Sequence, residues 1–95
     1  MVKVVAKRQF SKENLEKAIE LYSELVDETR KEEGCIAYNL FQDTKNECIL
    51  TMIEEWESKV YLKAHFNSEH FKRIVPQIGQ IGEGDGEVNI YKKVK

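Results

Sequence analysis

One proline and two cysteines stand among the 95 residues, so the chain lacks the usual staples of a small fold. Cys35 and Cys48 are too few for a disulfide framework. With a hairpin turning at Asp43 to Asn46, Cys48 would stand opposite Phe41, with Cys35 far along the partner strand. A bridge between them is not expected, and both read as small buried apolar residues. No apolar run approaches the ~20 residues of a membrane span. The opening Met1-Val2-Lys3-Val4-Val5 has no apolar core followed by small residues, so the default expectation is a cytoplasmic protein. A basic surplus is also missing: 15 Lys and Arg face 17 Asp and Glu, a net charge of -2. That removes the electrostatic case for nucleic acid. Gly82-Glu83-Gly84-Asp85-Gly86 follows no apolar strand and opens no helix, so it is not a phosphate-binding loop. No nucleophile elbow supports hydrolase chemistry.

What is present is one small domain, residues 1–95, with 41% hydrophobic and 34% charged residues. Val2, Val4, Ala6 and Phe10 alternate with polar residues as a first strand, and Arg8 interrupts the apolar face. Ser11 offers a helix N-cap. Leu15, Ala18, Ile19, Tyr22, Val26 and Thr29 form a helical stripe with Leu25 beside it, predicting a helix over 12–32 closed at Gly34. Residues 35–42 and 47–56 read as a hairpin. Ile36, Tyr38, Leu40, Ile49 and Ile53 are expected on one face, and Ala37, Phe41, Leu50, Met52 and Trp56 on the other. A sheet apolar on both faces needs cover on both, most economically from a second copy of the chain. Ser58 can cap a short helix, and Asn67 or Ser68 another, with Pro76 expected to kink or end the latter early. Residues 79–86 read as a flexible loop and Val88 to Val94 as a last strand. The order suits an α+β, ferredoxin-like fold, a four-stranded antiparallel sheet with helices on one face.

Among chemically capable residues His65 comes first. It projects from the apolar face that Tyr61 and Leu62 share, and imidazole exchanges protons near neutral pH. From the residues alone, a hydrogen-bonded core histidine is the preferred reading. Tyr38 and Trp56 could wall a pocket for a flat ligand or simply pack in the core. Glu55 could orient His65 or form a structural ion pair, and Asn39 beside Tyr38 is polar on a strand. His70 follows His65 by five residues, not the four that bring two ligands together on one helix, so no metal site is expected. His70 is read as a helix cap or a residue of the cavity rim.

The run Glu33-Gly34-Cys35, Tyr38, Glu55-Trp56-Glu57-Ser58, His65 and His70-Phe71 resembles the antibiotic biosynthesis monooxygenase family, including small quinol monooxygenase-like proteins. The resemblance covers about Glu32 to Phe71. It implies a dimeric α/β barrel in which two sheets pack together, with a cavity between sheet and helices. It implies a homodimer that oxidises a quinol-like or polyphenolic small molecule with molecular oxygen and uses no flavin or metal. His65 would then be base or anchor and Glu55 a polar orienter. Tyr38, Asn39, Trp56, Tyr61, His70 and Phe71 would line the substrate site. Haem-degrading relatives carry an iron-ligating histidine on the later helix, where this chain has Ile74 and Val75. A sugar-phosphate isomerase, or a non-catalytic ligand-binding dimer on the same scaffold, stays open as an alternative.

Overall fold

A computed structural model describes residues 1–95. The chain runs β1 (Val2–Phe10), α1 (Lys12–Thr29), β2 (Cys35–Gln42), β3 (Ile49–Trp56), α2 (Lys59–Phe66), α3 (Glu69–Ile81) and β4 (Gly82–Lys92). The strands form one antiparallel sheet in the order β2-β3-β1-β4. This is the ferredoxin-like plan expected from the sequence.

In β1 and β3 the period-two pattern sorts side chains cleanly. Val2 and Val4 with Leu50, Met52 and Trp56 are buried under the helices. The Ser11 side chain accepts from the Asn14 backbone N–H and starts α1. The buried stripe of α1 is Ala18, Leu21, Tyr22, Leu25, Val26 and Thr29, rotated from the expected one so that Ile19 is left 37% exposed. Each large side chain fully buried in this layer contributes about 1.5–3 kcal/mol. The helix stops at Thr29, three residues before the expected end, because Arg30 turns to the sheet. Its Nε donates to the Tyr38 carbonyl at 3.2 Å and its Nη2 to Asn39 Oδ1 at 2.7 Å. The freed segment carries Glu32 inward and reaches Gly34 at φ 83°. A Cβ at Gly34 would fall 2.1 Å from the Tyr61 ring, so glycine is required by contact as well as by conformation.

The hairpin differs from expectation by its register. Asp43 Oδ1 accepts from the backbone N–H groups of Lys45 and Asn46, and Asn46 Oδ1 accepts from that of Cys48. These side-chain bonds lengthen the connection to Asp43–Cys48, and Phe41 pairs with Thr51 instead of Cys48. Both cysteines are free. A bulge between Cys35 and Ala37 completes the shift. Tyr38 therefore shares its face with Leu50, Met52, Glu54 and Trp56, while Ile49 and Ile53 join Ala37 and Phe41 on the opposite face.

The expected loop over 79–86 is helix and strand. α3 passes through Pro76 to Ile81, and β4 starts at Gly82. The glycines make room for Arg8: a Cβ at Gly82 or Gly86 would meet its side chain at 2.7 or 3.1 Å. The β1–β4 register shifts at that point. No helix is long and apolar enough to cross a membrane.

Candidate functional site

A cavity of about 120 Å³ lies between the inner face of the sheet and the helices. Tyr38, Met52 and Glu54 form its sheet wall, and Tyr22, Phe71 and Val75 face them from the helices. Lys7, Arg8 and Glu87 supply charge where β1 meets β4. The remainder is largely apolar.

Glu54 is the unusual member. It is 5% exposed, and its only side-chain hydrogen bond comes from Trp56, whose Nε1–H donates to Oε1 at 3.0 Å. Burial raises its carboxyl, against the lowering effect of the Trp56 bond, to a pKa of about 7. Trp56, wholly buried, also carries His65 on its face with ring centroids 4.8 Å apart.

His65 is 1% exposed and sits behind the cavity wall. Its Nδ1 lies 2.7 Å from Glu32 Oε2. A carboxylate that close fixes the hydrogen on Nδ1, which leaves Nε2 as an acceptor. That nitrogen meets the Tyr38 hydroxyl at 3.4 Å, a long contact of the kind that tightens when a ligand arrives. Burial lowers the His65 pKa against the opposing pull of Glu32, so the ring is held neutral. Burial first, then the nearby Glu54 charge, keeps the Tyr38 phenol protonated. The same Glu32 oxygen accepts from His70 Nε2 at 2.6 Å. Cavity, Tyr38, His65, Glu32 and His70 thus form a continuous polar line that ends at half-buried groups.

The residues expected from the sequence are divided by this geometry. Tyr38 and Phe71 face the cavity. His65 and Trp56 stand directly behind it, in contact with Tyr38. His70 neither caps α3, a role taken by Ser68, nor lines the cavity, since it turns to Glu32. Tyr61 covers Gly34. Glu55 and Asn39 are on the opposite face of the sheet. Glu55 pairs with Lys3 at 3.1 Å and Asn39 accepts from Arg30, so neither reaches His65. The three-residue register shift is odd and so moves Glu55 off the Tyr38 face, whereas Asn39, next to Tyr38 on its strand, faces away in any register. The strand alternation Leu50, Met52, Glu54, Trp56 was the available signal for Glu54, a lone carboxylate on an apolar face. Glu32 carried no such signal, because its position depends on where α1 ends. The five-residue spacing excludes only a shared helix face; His65 and His70 lie on α2 and α3, on either side of the expected break at Asn67 and Ser68, and meet through Glu32.

The family model of antibiotic biosynthesis monooxygenases matches residues 1–77. The chain belongs to that family. It is similar to a conserved protein from Methanosarcina mazei Go1, with 42% identity over 97% of this chain and 91% of that one and a TM-score of 0.95. A crystal structure described as an antibiotic biosynthesis monooxygenase is 39% identical, covers 100% of both chains and also has a TM-score of 0.95. The Synechocystis protein sll1783 is 27% identical over 81% of this chain, which spans 52% of that curated relative.

Proposed function

We propose that this chain is a cofactor-independent monooxygenase that oxidises a quinol-like, single-ring phenol with molecular oxygen. The observation that carries the reading is Glu54, a carboxyl held near pKa 7 inside an apolar cavity. Burying such a group opposes folding, and groups kept so are common where protons must move at neutral pH. The volume of about 120 Å³ supports the substrate class. It is close to the ~150 Å³ of a dry engineered cavity, in another protein, that accepts benzene.

In this mechanism a substrate hydroxyl passes its proton through the Tyr38 hydroxyl to His65 Nε2. Glu32, on the far side of the ring, stabilises the imidazolium. The resulting anion is rich enough in electrons to reduce oxygen. One oxygen atom enters the ring, which becomes a hydroxyquinone, and the other leaves as water with two hydrogens. Glu54, the cross-strand neighbour of Tyr38 on the same sheet wall, exchanges the second proton. Trp56 positions both Glu54 and His65, and Phe71 walls the ring.

The outer face of the sheet supports a homodimer. Phe41 is 49% exposed there beside Val5, Ile49 and Ile53. Apolar surface in a continuous sheet face gains stability when a second copy covers it. Lys7 and Arg8 favour one second reading, a sugar-phosphate isomerase binding its phosphate at the cavity mouth.

Oxygen uptake with a panel of hydroquinones, on metal-free and flavin-free protein, tests the first reading. Wild type should consume oxygen, while Tyr38→Phe and Glu54→Gln should lose most of it. No uptake by wild type with any one-ring phenol overturns the oxygenase. Turnover of a sugar phosphate that is lost in Arg8→Gln would establish the second reading instead.

A further inference from the structure

Glu32, His65 and His70 come from three separate segments: the turn after α1, helix α2 and the first turn of α3. One Glu32 oxygen is aimed at by both imidazoles, at 2.7 and 2.6 Å. All three ligand-capable atoms lie within 4.8 Å of one another. Fixing the tautomer of His65 needs Glu32 alone, so His70 has no task in the proton route. The two histidines are also the only ion-pair partners of Glu32. No lysine or arginine therefore has to be displaced by another cation.

Two imidazoles and a carboxylate are the ligand set of open tetrahedral zinc sites, with water in the fourth position. We infer that Glu32, His65 Nδ1 and His70 Nε2 bind one divalent cation of the borderline class, such as Zn²⁺. Metal–ligand distances of ~2.0–2.2 Å in a tetrahedron ask for ligand separations of roughly 3.3 Å. The two hydrogen-bonded pairs must then open by several tenths of an ångström. Glu32 and His70, at 15% and 14% side-chain exposure, can supply that movement and the entry path. His65, at 1%, is the fixed ligand, held between Trp56 and Phe71.

The proton balance is simple. The cation replaces the N–H hydrogens that point at Glu32, and each ring keeps one proton by moving it to its other nitrogen. On His65 that places the hydrogen on Nε2, where it donates to the Tyr38 oxygen and fixes the ring for the metal. A ring in that state cannot accept a proton from the cavity. Zn²⁺ is therefore an inhibitor of the oxygenase, a consequence that rests on the proposed function; the binding itself does not.

The test uses the untagged full chain, stripped of metal and titrated with Co²⁺. The expected result is one Co²⁺ per chain, with the intense visible absorption of tetrahedral coordination and displacement by Zn²⁺. Paramagnetic broadening should reach the ring signals of His65 and His70. His70→Ala should weaken binding by more than roughly tenfold, the least that even an outer partner of a ligand is worth. His70→Gln keeps an N–H for Glu32 but removes the imidazole, and should bind as poorly as His70→Ala while unfolding at the wild-type temperature. Absence of the tetrahedral spectrum overturns the site, as does binding unchanged in both variants. Oxygen uptake is recorded separately. An inactive protein that still gives the cobalt spectrum would refute the oxygenase and leave the metal site standing.

Discussion

Glu54 and Glu55 are neighbours in sequence and lie on opposite sides of one sheet. Glu54 points under the helices, is 5% exposed, and has a single indole N–H as partner. Glu55 points outward, and its half-exposed carboxylate meets the Lys3 ammonium at 3.1 Å. The same functional group is a buried acid raised to a pKa of about 7 in one place and half of a partly exposed ion pair in the other. Nothing in the local sequence distinguishes them except strand parity. A chain that needed only stability would put an apolar residue at position 54, because a buried carboxyl with one hydrogen bond opposes folding. Keeping the acid there sets the inner face apart from the outer one and supports the proposed proton chemistry on the inner side.

Turnover should separate the two carboxyls most. Glu54→Gln preserves shape and removes the exchangeable proton, so kcat with a one-ring quinol should fall by roughly 10²- to 10⁴-fold. Glu55→Gln should change it by less than about twofold, within the scatter of remote surface changes. Equal losses in the two variants would show that the sheet faces do not divide the work as argued.

Assembly gives the next largest effect. Ile53→Lys puts a charge in the apolar outer face between Ala37 and Phe41. If that face is covered by a second copy, each protomer loses about 1.5–3 kcal/mol of apolar burial. Sedimentation equilibrium should show the variant as monomer at concentrations where wild type is dimer. Leu40, on the helix side of β2, is the control position: Leu40→Ala should lower stability without moving the association equilibrium.

The two carboxyls should also differ in how they make stability depend on pH. The Glu54 carboxyl is raised from 4.5 to about 7. The folded state therefore binds more protons than the unfolded state between those values, and stability falls as pH rises through that window. The loss amounts to about 3 kcal/mol when complete. His65 acts with the opposite sign. Its pKa is lowered by burial, so the unfolded chain takes up its proton first, and stability falls as pH drops below 6.5. Subtracting the Glu54→Gln profile from the wild-type profile, in urea melts between pH 5 and 8, isolates the first slope. A difference that is flat with pH would mean that Glu54 titrates as an exposed acid does.

The features that were legible and those that were not separate along the same line. Element order and the Ser11 and Ser68 caps follow from local chemistry that acts within a few residues, and the sequence reports it; Gly34 was expected to close α1, but the helix ends at Thr29 and Gly34 instead makes room for Tyr61. The identity of the site carboxylate does not, because it depends on hairpin register. Register is weakly encoded when both faces of a strand are apolar, and here Asp43 and Asn46 settle it through three side-chain bonds that lengthen the turn. Pro76 and the glycines after it read as breakers. Yet the helix continues through Pro76, and Gly82 and Gly86 serve the packing of Arg8 from another strand. Glu32 was hidden for a third reason. Its role exists only once α1, α2 and α3 converge, and no spacing along the chain expresses that.

The smallest effect belongs to the outer ion pair. Lys3 and Glu55 face each other across β1 and β3 with side-chain exposures of 49% and 28%. Water screens such a pair, and ordering the long lysine side chain offsets much of the attraction, so its coupling should be about 0.2–1 kcal/mol. A double-mutant cycle of Lys3→Met and Glu55→Gln, read by urea unfolding, measures it, and the value should shrink further in high salt. A salt-insensitive coupling well above that range would mean the pair is desolvated in solution. Covering the outer face is what would desolvate it, so this small number also reports on assembly. A dilution series decides between the two: coupling that rises with protein concentration belongs to the dimer, and coupling that does not belongs to the sheet alone.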